Sequence, residues 1–274
     1  NLIQKHRGPD TSGLWIYKNN LVGFGHTRLS ILDLTKNSNQ PFLDDERDSV
    51  LTFNGEIYNF KEIKDKLIKE GYNFSKKNSD TEVLSKAYKK WGIKCVDYLR
   101  GMFAFAIWDA RKKKIFLVRD RVGVKPLYYK IDSEKLIFAS EIKAILNDKK
   151  YVPEIDEKSM FHYLSFLCTP APNTMFKNIK KIEAGSWMSI DTNGNIKKKF
   201  YWDSLIFKKK KTRYHEREIQ TEVFNLLKES IKLRGIADVD VGIFLSGGID
   251  SSTNAYLFSK MYNTKIKTFS IGYE

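Results

Sequence analysis

The sequence predicts an α+β domain with layered packing, followed by the beginning of a parallel α/β domain. Three observations support this prediction: helical and strand patterns alternate up to about Leu146, two strand–turn–strand patterns lie between Met102 and Ala139, and a strand–turn–helix–strand series begins at Val239. The 274 residues suffice for one large or two ordinary domains, and 42% of them are hydrophobic, so a core can be buried.

Two amphipathic helices are predicted early in the chain. Residues 61–70 carry an apolar stripe that stops at Gly71. Ser79 is a suitable N-cap, with Glu82 three residues later as in a capping box, for a helix that ends near Gly92. Strands are predicted at residues 50–53, 102–108, 115–118, 127–131 and 136–139. Pairs of these strands form hairpins, which favours layered α+β packing.

Prolines mark the region between the two predicted domains. Pro153, Pro170 and Pro172 indicate an inter-domain connection. The predicted boundaries are residues 1–150 for the first domain, 151–215 for the connection with the end of that domain, and 216–274 for the start of the second. Further elements are predicted as a hairpin of 186–190 with 197–201, a helix at 216–234, a strand at 239–245, a helix at 250–261 and a strand at 266–271.

Composition limits the classes of function. The net charge of +15 comes from 48 basic and 33 acidic residues, and lysine runs occur at 112–114, 197–199 and 208–211. No recognition helix or RNA-binding signature accompanies these runs, so solvated loops are favoured over a nucleic-acid surface. No apolar stretch approaches the length of a membrane span. Two cysteines, Cys95 and Cys168, indicate reduced thiols in a cytoplasmic protein rather than a disulfide framework.

The strongest local signal is Ser-Gly-Gly-Ile-Asp-Ser-Ser at residues 246–252, between an apolar strand and a helix. Glycines allow close backbone approach to a ligand, and serine hydroxyls with a helix N-terminus suit phosphate oxygens. Asp250 is a candidate Mg²⁺ ligand beside those oxygens. No Gly-Lys-Ser/Thr follows, so this is not a Walker A loop. The loop resembles the pyrophosphate loop of the ATP pyrophosphatase family, which implies cleavage of ATP to AMP and pyrophosphate.

Six further motifs precede this loop in order. They are HRGPD at 6–10, GHTRLSI at 25–31, NGEIYN at 54–59, SDTE at 79–82, GMFAFAIWD at 101–109, and RDR at 119–121 with KPLYY at 125–129. This series resembles the glutaminase domain of the asparagine synthetases. The resemblance extends over essentially the whole chain. It implies an N-terminal-nucleophile sandwich with an αββα layer order, followed by an ATP pyrophosphatase-type domain.

The resemblance implies a glutamine site. Arg28 is suited to bind the α-carboxylate and Asp80 the α-ammonium. Asn54 and Gly55 can stabilise the oxyanion through a side-chain amide and a backbone N–H, with Glu56 beside them. Positions that also match the family's glutamine-binding motif are Leu29, Ser30, Ile31 and Leu32. Positions that match the ATP site are Leu245, Ser246, Gly247, Gly248, Asp250, Ser251 and Ile271.

The family's nucleophile is a cysteine at the mature N-terminus. The chain starts at Asn1, and neither Cys95 nor Cys168 matches that position, so we expect a chain that is incomplete at both ends and does not hydrolyse glutamine by itself. His6 and His26 are expected to order loops, because this family uses no histidine base.

The implied reaction converts ATP, L-aspartate, L-glutamine and water into L-asparagine, L-glutamate, AMP and diphosphate. ATP with Mg²⁺, glutamine and aspartate are the expected small-molecule partners, in a possible homodimer. Two alternatives stay open. One is an amidotransferase with another acceptor, such as a β-lactam synthetase or a sugar-modifying homologue. The other is a non-catalytic, basic nucleic-acid-binding homologue.

Overall fold

A computed structural model describes residues 1–18, 21–35, 38–75, 78–205, 215–263 and 265–272. The chain forms two compact units. The first comprises Asn1–Ser30 and Thr35–Ser204, and the second comprises Ile31–Leu34 and Leu205–Glu274. The predicted lysine-rich loop at 208–211 lies outside the described residues.

The first unit contains four helices and eleven strands among its described residues. Its helices are α1 (Phe60–Lys69), α2 (Asp80–Trp91), α3 (Ile142–Leu146) and α4 (Glu157–Phe166). Its strands are β1 (Thr11–Tyr17), β2 (Val22–Arg28), β3 (Phe42–Leu43), β4 (Ser49–Ile57), β5 (Gly101–Asp109), β6 (Lys114–Arg119), β7 (Tyr128–Ile131), β8 (Leu136–Ala139), β9 (Ile179–Lys181), β10 (Ser186–Asp191) and β11 (Ile196–Phe200). Short 3-10 helices span Leu2–Arg7 and Gly92–Asp97.

Strand β5 lies inside an antiparallel six-stranded sheet with the order β11-β10-β6-β5-β4-β3. Two smaller sheets, β8-β7-β9 and β1-β2, accompany it. Neighbouring residues of β5 point to opposite faces, and both faces are buried, which explains its continuous apolar sequence. Every strand pair in this unit is antiparallel among the described residues, as the predicted hairpins require.

The layer order is visible in the packing of the large sheet. On one face, Tyr88 of α2 lies against Phe116 of β6, with ring centroids 5.9 Å apart. On the other face, Trp108 belongs to a buried cluster that includes Phe24 of β2 and Tyr129 of β7. Helix α3 contacts β7 and β8 of the second sheet. The predicted α+β sandwich, with helices outside and sheets inside, is therefore confirmed.

The start of α2 follows its predicted cap. Ser79 Oγ accepts a hydrogen bond from the Glu82 backbone N–H at 3.2 Å. The buried Glu82 carboxylate in turn accepts bonds from the backbone N–H and hydroxyl of Ser75. The cap fixes the start of α2 and thereby the position of its first residue, Asp80, which is a predicted site residue.

Several elements were not predicted from the sequence, namely β1, β2, β3, β9, α3 and α4. Strands β1 and β2 were not predicted, because glycines interrupt their apolar alternation. One of them, Gly13, leaves room for a neighbouring backbone: a Cβ there would lie 2.1 Å from the Gln40 carbonyl oxygen. Helix α4 occupies part of the predicted proline-rich connection. Asp156 caps it by accepting a bond from the Ser159 N–H at 2.7 Å. Its exposed surface is largely apolar, so no one-sided stripe revealed it.

Arg119 and Asp120 stabilise the turn that follows β6. The buried Asp120 carboxylate accepts bonds from four backbone N–H groups, those of Phe103, Val122, Val124 and Lys125. Arg119 donates to three backbone carbonyl groups, those of Gly123, Lys125 and Ile182. Together the two side chains satisfy the polar backbone of the turn after β6.

We expect Asp120→Asn to lower the free energy of unfolding by about 2–4 kcal/mol, since an amide –NH₂ would face N–H donors. All five tryptophans lie within the first unit, so chemical denaturation followed by tryptophan fluorescence measures that unit. Asp65→Asn, at an exposed position of α1, is the control and should change stability by less than about 0.5 kcal/mol. Equal stabilities of the two variants would contradict the structural role of Asp120.

The second unit contains α5 (Glu216–Arg234), β12 (Gly242–Phe244), α6 (Ile249–Tyr262) and β13 (Lys267–Phe269). Strands β12 and β13 pair in parallel, with Ile243 opposite Thr268, so the predicted strand–helix–strand crossover is confirmed. Helix α5 has the predicted bounds, whereas both strands are shorter than predicted. No helix among the described residues is both long and apolar enough to cross a membrane.

Candidate functional site

Strand β4 carries the predicted oxyanion residues. Asn54, Gly55 and Glu56 pair with Ala104, Phe103 and Met102 of β5. A Cβ on Gly55 would lie 2.1 Å from the Met102 carbonyl oxygen, so only glycine fits this approach of two strands. Asn54 Nδ2 is buried and has no hydrogen-bond partner among the described residues. A buried amide donor without a partner suits the stabilisation of an incoming oxygen.

Asp80 lies next to this strand. The residue is 6% exposed, and its carboxylate accepts a bond from the Ile57 backbone N–H at 3.2 Å. Burial raises the pKa of Asp80 to about 7, and the negative charge of Glu56 adds to the rise. No ion pair of Asp80 occurs within the described part of the chain. A ligand ammonium would supply the missing positive charge.

Arg28 ends β2 and is buried. Its Nη1 donates to the Thr35 carbonyl at 2.9 Å and to Asn39 Oδ1 at 3.1 Å. These bonds hold the guanidinium group that was predicted to bind a carboxylate. Asn39 was not predicted, because an asparagine in a polar loop carries no local signal of such a contact.

The HRGPD motif supports the segment after Arg28. Gly8 lies so close to Thr27 that a Cβ would come within 2.3 Å of its carbonyl carbon. Asp10 donates from its N–H to the Arg28 carbonyl at 3.1 Å and accepts from the Ser30 N–H at 2.8 Å. The Leu29 side chain is exposed. The motif thus fixes the backbone of the predicted glutamine-binding segment.

Two of the predicted glutamine-binding positions, Ile31 and Leu32, fall in the second unit. The Ile31 carbonyl accepts from the Asp238 N–H at 3.0 Å, and Asp238 Oδ2 accepts from the Asp33 N–H at 2.8 Å. The structure therefore groups these two residues apart from Arg28, Leu29 and Ser30, although the residues are adjacent in sequence.

His26 and His6 each contact a side chain of a distant part of the sequence. His26 Nδ1 lies 3.2 Å from Thr52 Oγ1, which joins β2 to β4. Burial, together with the positive charge of Arg28, lowers the pKa of His26 to about 4, so the ring is neutral at pH 7. His6 Nε2 lies 2.9 Å from Glu141 Oε1.

The cysteines have different environments. Cys95 is fully buried, and burial raises the pKa of its thiol to about 12. A thiol with so little thiolate is a poor nucleophile at pH 7. Cys168 is exposed beyond α4.

The glycine-rich turn of the second unit follows β12. Ser246 Oγ lies 3.1 Å from Ser251 Oγ, and the Ser251 hydroxyl donates to the Gly248 carbonyl at 3.1 Å. Gly247 has a φ of +82°, which favours glycine. Helix α6 begins directly after Gly248 and carries Asp250 in its first turn. The turn therefore presents backbone N–H groups, hydroxyls and a helix N-terminus, which together suit an anion.

The other predicted ATP-site residues lie at the carboxyl ends of the same two strands. Leu245 donates from its N–H to the Phe269 carbonyl at 2.8 Å, and the Ser270 hydroxyl donates to the Leu245 carbonyl at 2.6 Å. Ile271 follows and is exposed. Ligands of open parallel sheets bind at this edge. The described residues contain no group of three or more His, Cys, Asp or Glu side chains able to hold a metal ion.

Comparisons with known proteins match both parts of the chain. Residues 2–202 match the glutamine amidotransferase domain family, and residues 222–274 match the asparagine synthase family. A putative glutamine-hydrolysing asparagine synthetase 2 of Methanocaldococcus jannaschii is 40% identical over 98% of this chain and 55% of its own length. The glutamine-hydrolysing asparagine synthetase 1 of Bacillus subtilis is 39% identical over 98% of this chain and 41% of its own length.

The chain thus spans about half the length, or less, of the curated relatives it matches. Among solved structures, the glutamine phosphoribosylpyrophosphate amidotransferase from B. subtilis, complexed with ADP and GMP, superimposes with a TM-score of 0.46 and 19% identity. The superposition covers 90% of this chain and 51% of that chain.

Proposed function

The chain belongs to the glutamine amidotransferase domain family, and we propose that the protein acts as a glutamine-dependent asparagine synthetase. The reaction converts ATP, L-aspartate, L-glutamine and water into L-asparagine, L-glutamate, AMP and diphosphate. The observation that carries the proposal is the occurrence in one chain of a buried, unpartnered amide donor (Asn54) near a buried carboxylate (Asp80) and, after them, a Ser-Gly-Gly loop at the end of a parallel strand.

In the first unit, each end of glutamine has a complementary group. Arg28 binds the α-carboxylate and the buried Asp80 binds the α-ammonium. Asn54 Nδ2 and the Gly55 N–H stabilise the oxyanion that forms on the side-chain carbonyl during amide hydrolysis. The free amide donor of Asn54 and the lone buried charge of Asp80 support these roles.

In the second unit, the turn at residues 246–248 and the start of α6 bind the phosphates of ATP. Asp250 would hold Mg²⁺, which would offset the charge of the phosphates, and Leu245 and Ile271 line the nucleotide site at the strand ends. ATP activates aspartate, and ammonia from glutamine then displaces AMP. We further propose a homodimer in the cytoplasm, a compartment in keeping with the free thiols of Cys95 and Cys168.

The test supplies the protein with [amide-¹⁵N]glutamine, aspartate, ATP and Mg²⁺, and measures glutamate, ¹⁵N-asparagine, AMP and pyrophosphate. We expect equal amounts of AMP and pyrophosphate, formed only when aspartate is present, and no ADP. Asp250→Asn should abolish pyrophosphate release without changing glutamine binding measured by titration calorimetry. Nucleotide cleavage that is independent of aspartate would overturn the choice of acceptor, and the absence of glutamine binding would overturn the proposal as a whole.

A further inference from the structure

We propose that residues 38–40, a serine, an asparagine and a glutamine, are positioning residues that hold the three parts of the glutamine site in one arrangement. The inference rests on the proposed function. Each residue of the segment contacts a different part of the site, and no sequence motif includes the segment.

Asn39 holds the carboxylate-binding part. Its Oδ1 accepts from Arg28 Nη1 at 3.1 Å and from the Thr11 hydroxyl at 3.1 Å. The bond from Thr11 of β1 fixes the direction of the amide oxygen. That oxygen in turn limits the positions that the Arg28 guanidinium can occupy. A bond to a charged donor is stronger than a neutral one, so this contact contributes to the orientation of Arg28.

Gln40 holds the oxyanion part. Its Oε1 accepts from the Phe53 backbone N–H at 2.6 Å, and the side chain is buried. Strand β3 pairs with β4 only at Leu51 and Val50, so at Phe53 the glutamine side chain takes the place of a neighbouring strand. Phe53 directly precedes Asn54, whose unpartnered amide is the proposed oxyanion donor.

Ser38 contacts the ammonium-binding part. Its hydroxyl donates to Ser79 Oγ at 3.3 Å, and both serines are buried. Ser79 is the N-cap of α2, and Asp80 is the first residue of that helix. The segment itself has little freedom, because the Gln40 carbonyl oxygen lies against Gly13, where a Cβ would clash.

Two ligands distinguish the binding contributions of the two ends of the site. L-glutamine uses the α-carboxylate, the α-ammonium and the side-chain amide, whereas L-norvaline has the same α-groups and no amide. The ratio of their dissociation constants therefore reports on the Asn54 end alone. Titration calorimetry with the intact chain measures both constants without requiring turnover.

Asn39→Ala should weaken glutamine and norvaline equally, by about tenfold, since it removes one bond to a charged group that orients Arg28. Gln40→Met, which keeps the volume and removes the acceptor, should leave norvaline binding unchanged and weaken glutamine by about tenfold, because the Asn54 end alone is displaced. Gln40→Glu retains an acceptor oxygen and should restore most of the preference for glutamine.

The outcomes are distinct. If both variants weaken both ligands by the same factor, or Gln40→Glu fails to restore the preference, the segment has only a general structural role and the inference is wrong. If both variants bind like the original chain, it is also wrong. If the original chain binds no glutamine, the proposed function fails instead. Circular dichroism of each variant shows that loss of binding is not loss of folding.

Discussion

Asp80→Asn is expected to stabilise the ligand-free protein at pH 8 and to abolish measurable glutamine binding. The carboxylate is buried, and no ion pair of it occurs among the described residues. Its ionised form therefore lowers the free energy of unfolding of the empty protein. The same charge is what a ligand ammonium needs, so stability and binding should change in opposite directions.

The pH dependence follows from the direction of the shift. The folded pKa of Asp80 is about 7, against an ordinary value of 3.8. Between these values the folded state binds more protons than the unfolded state, so the stability contributed by Asp80 falls as pH rises through this window and stays low above it. Asp80→Asn should raise the free energy of unfolding by about 4 kcal/mol at pH 8 and by less than about 2 kcal/mol at pH 5.

Binding should show the complementary dependence. A bound ammonium favours the ionised form of Asp80 and lowers its pKa, so the original chain should release a proton on binding glutamine near pH 7 and should bind more weakly below it. Denaturation followed by tryptophan fluorescence at pH 5 and pH 8, and titration calorimetry in buffers of different ionisation enthalpy, measure the two effects. Asp65→Asn on the exposed face of α1 should change neither.

A destabilised Asp80→Asn variant at pH 8 would contradict the assignment of an unpaired buried charge. The amide oxygen introduced by the substitution can still accept the bond from the Ile57 N–H, so loss of that contact would not account for the result. Retained glutamine binding by the variant would show that Asp80 is not the ammonium ligand.

The sequence predicted those parts of the protein that depend on local chemistry. Ser79 caps α2 because a serine hydroxyl reaches the N–H three residues later, whatever the rest of the fold does. The bounds of α5 follow in the same way from one apolar stripe between suitable ends. The assignment of Asn54 and Gly55 to an oxyanion site came from the resemblance of their motif to a glutaminase domain, and it stays a prediction.

The contacts that organise the site could not be predicted in this way. Gln40 reaches Phe53 and Asn39 reaches Arg28 only because separate strands and loops come together in the folded chain. The raised pKa of Asp80 likewise depends on burial beside β4, which a helix-start residue does not reveal. Strands β1 and β2 were missed because their glycines serve close packing between segments, and no local pattern records that requirement.

Gly55→Ala is expected to lower the free energy of unfolding by more than about 4 kcal/mol. The added Cβ would lie 2.1 Å from the Met102 carbonyl oxygen and 2.7 Å from Phe103 Cα. Both atoms belong to the backbone of β5, so no flexible side chain can move aside. Gly55 also has a φ of +154°, in the range that favours glycine.

Gly194→Ala is the matched control. Gly194 has a φ of +82° in the turn between β10 and β11, and nothing lies within 4 Å of an added Cβ. This substitution should lower the free energy of unfolding only by the backbone strain, about 1–2 kcal/mol. Tryptophan fluorescence during chemical denaturation gives both free energies of unfolding. Similar losses in the two variants would mean that strain, and not the clash with β5, limits position 55.

Ligand binding by the Gly55→Ala variant also tests why a glycine lies in the predicted site. The close approach of β4 to β5 at Gly55 fixes the backbone on which Asn54 and the proposed oxyanion N–H depend. If Gly55→Ala folds with β4 displaced from β5, the Asn54 amide moves with it. Such a variant should then retain norvaline binding through Arg28 and Asp80 while losing its preference for glutamine. A folded variant with an unchanged preference would separate the glycine's packing role from the site.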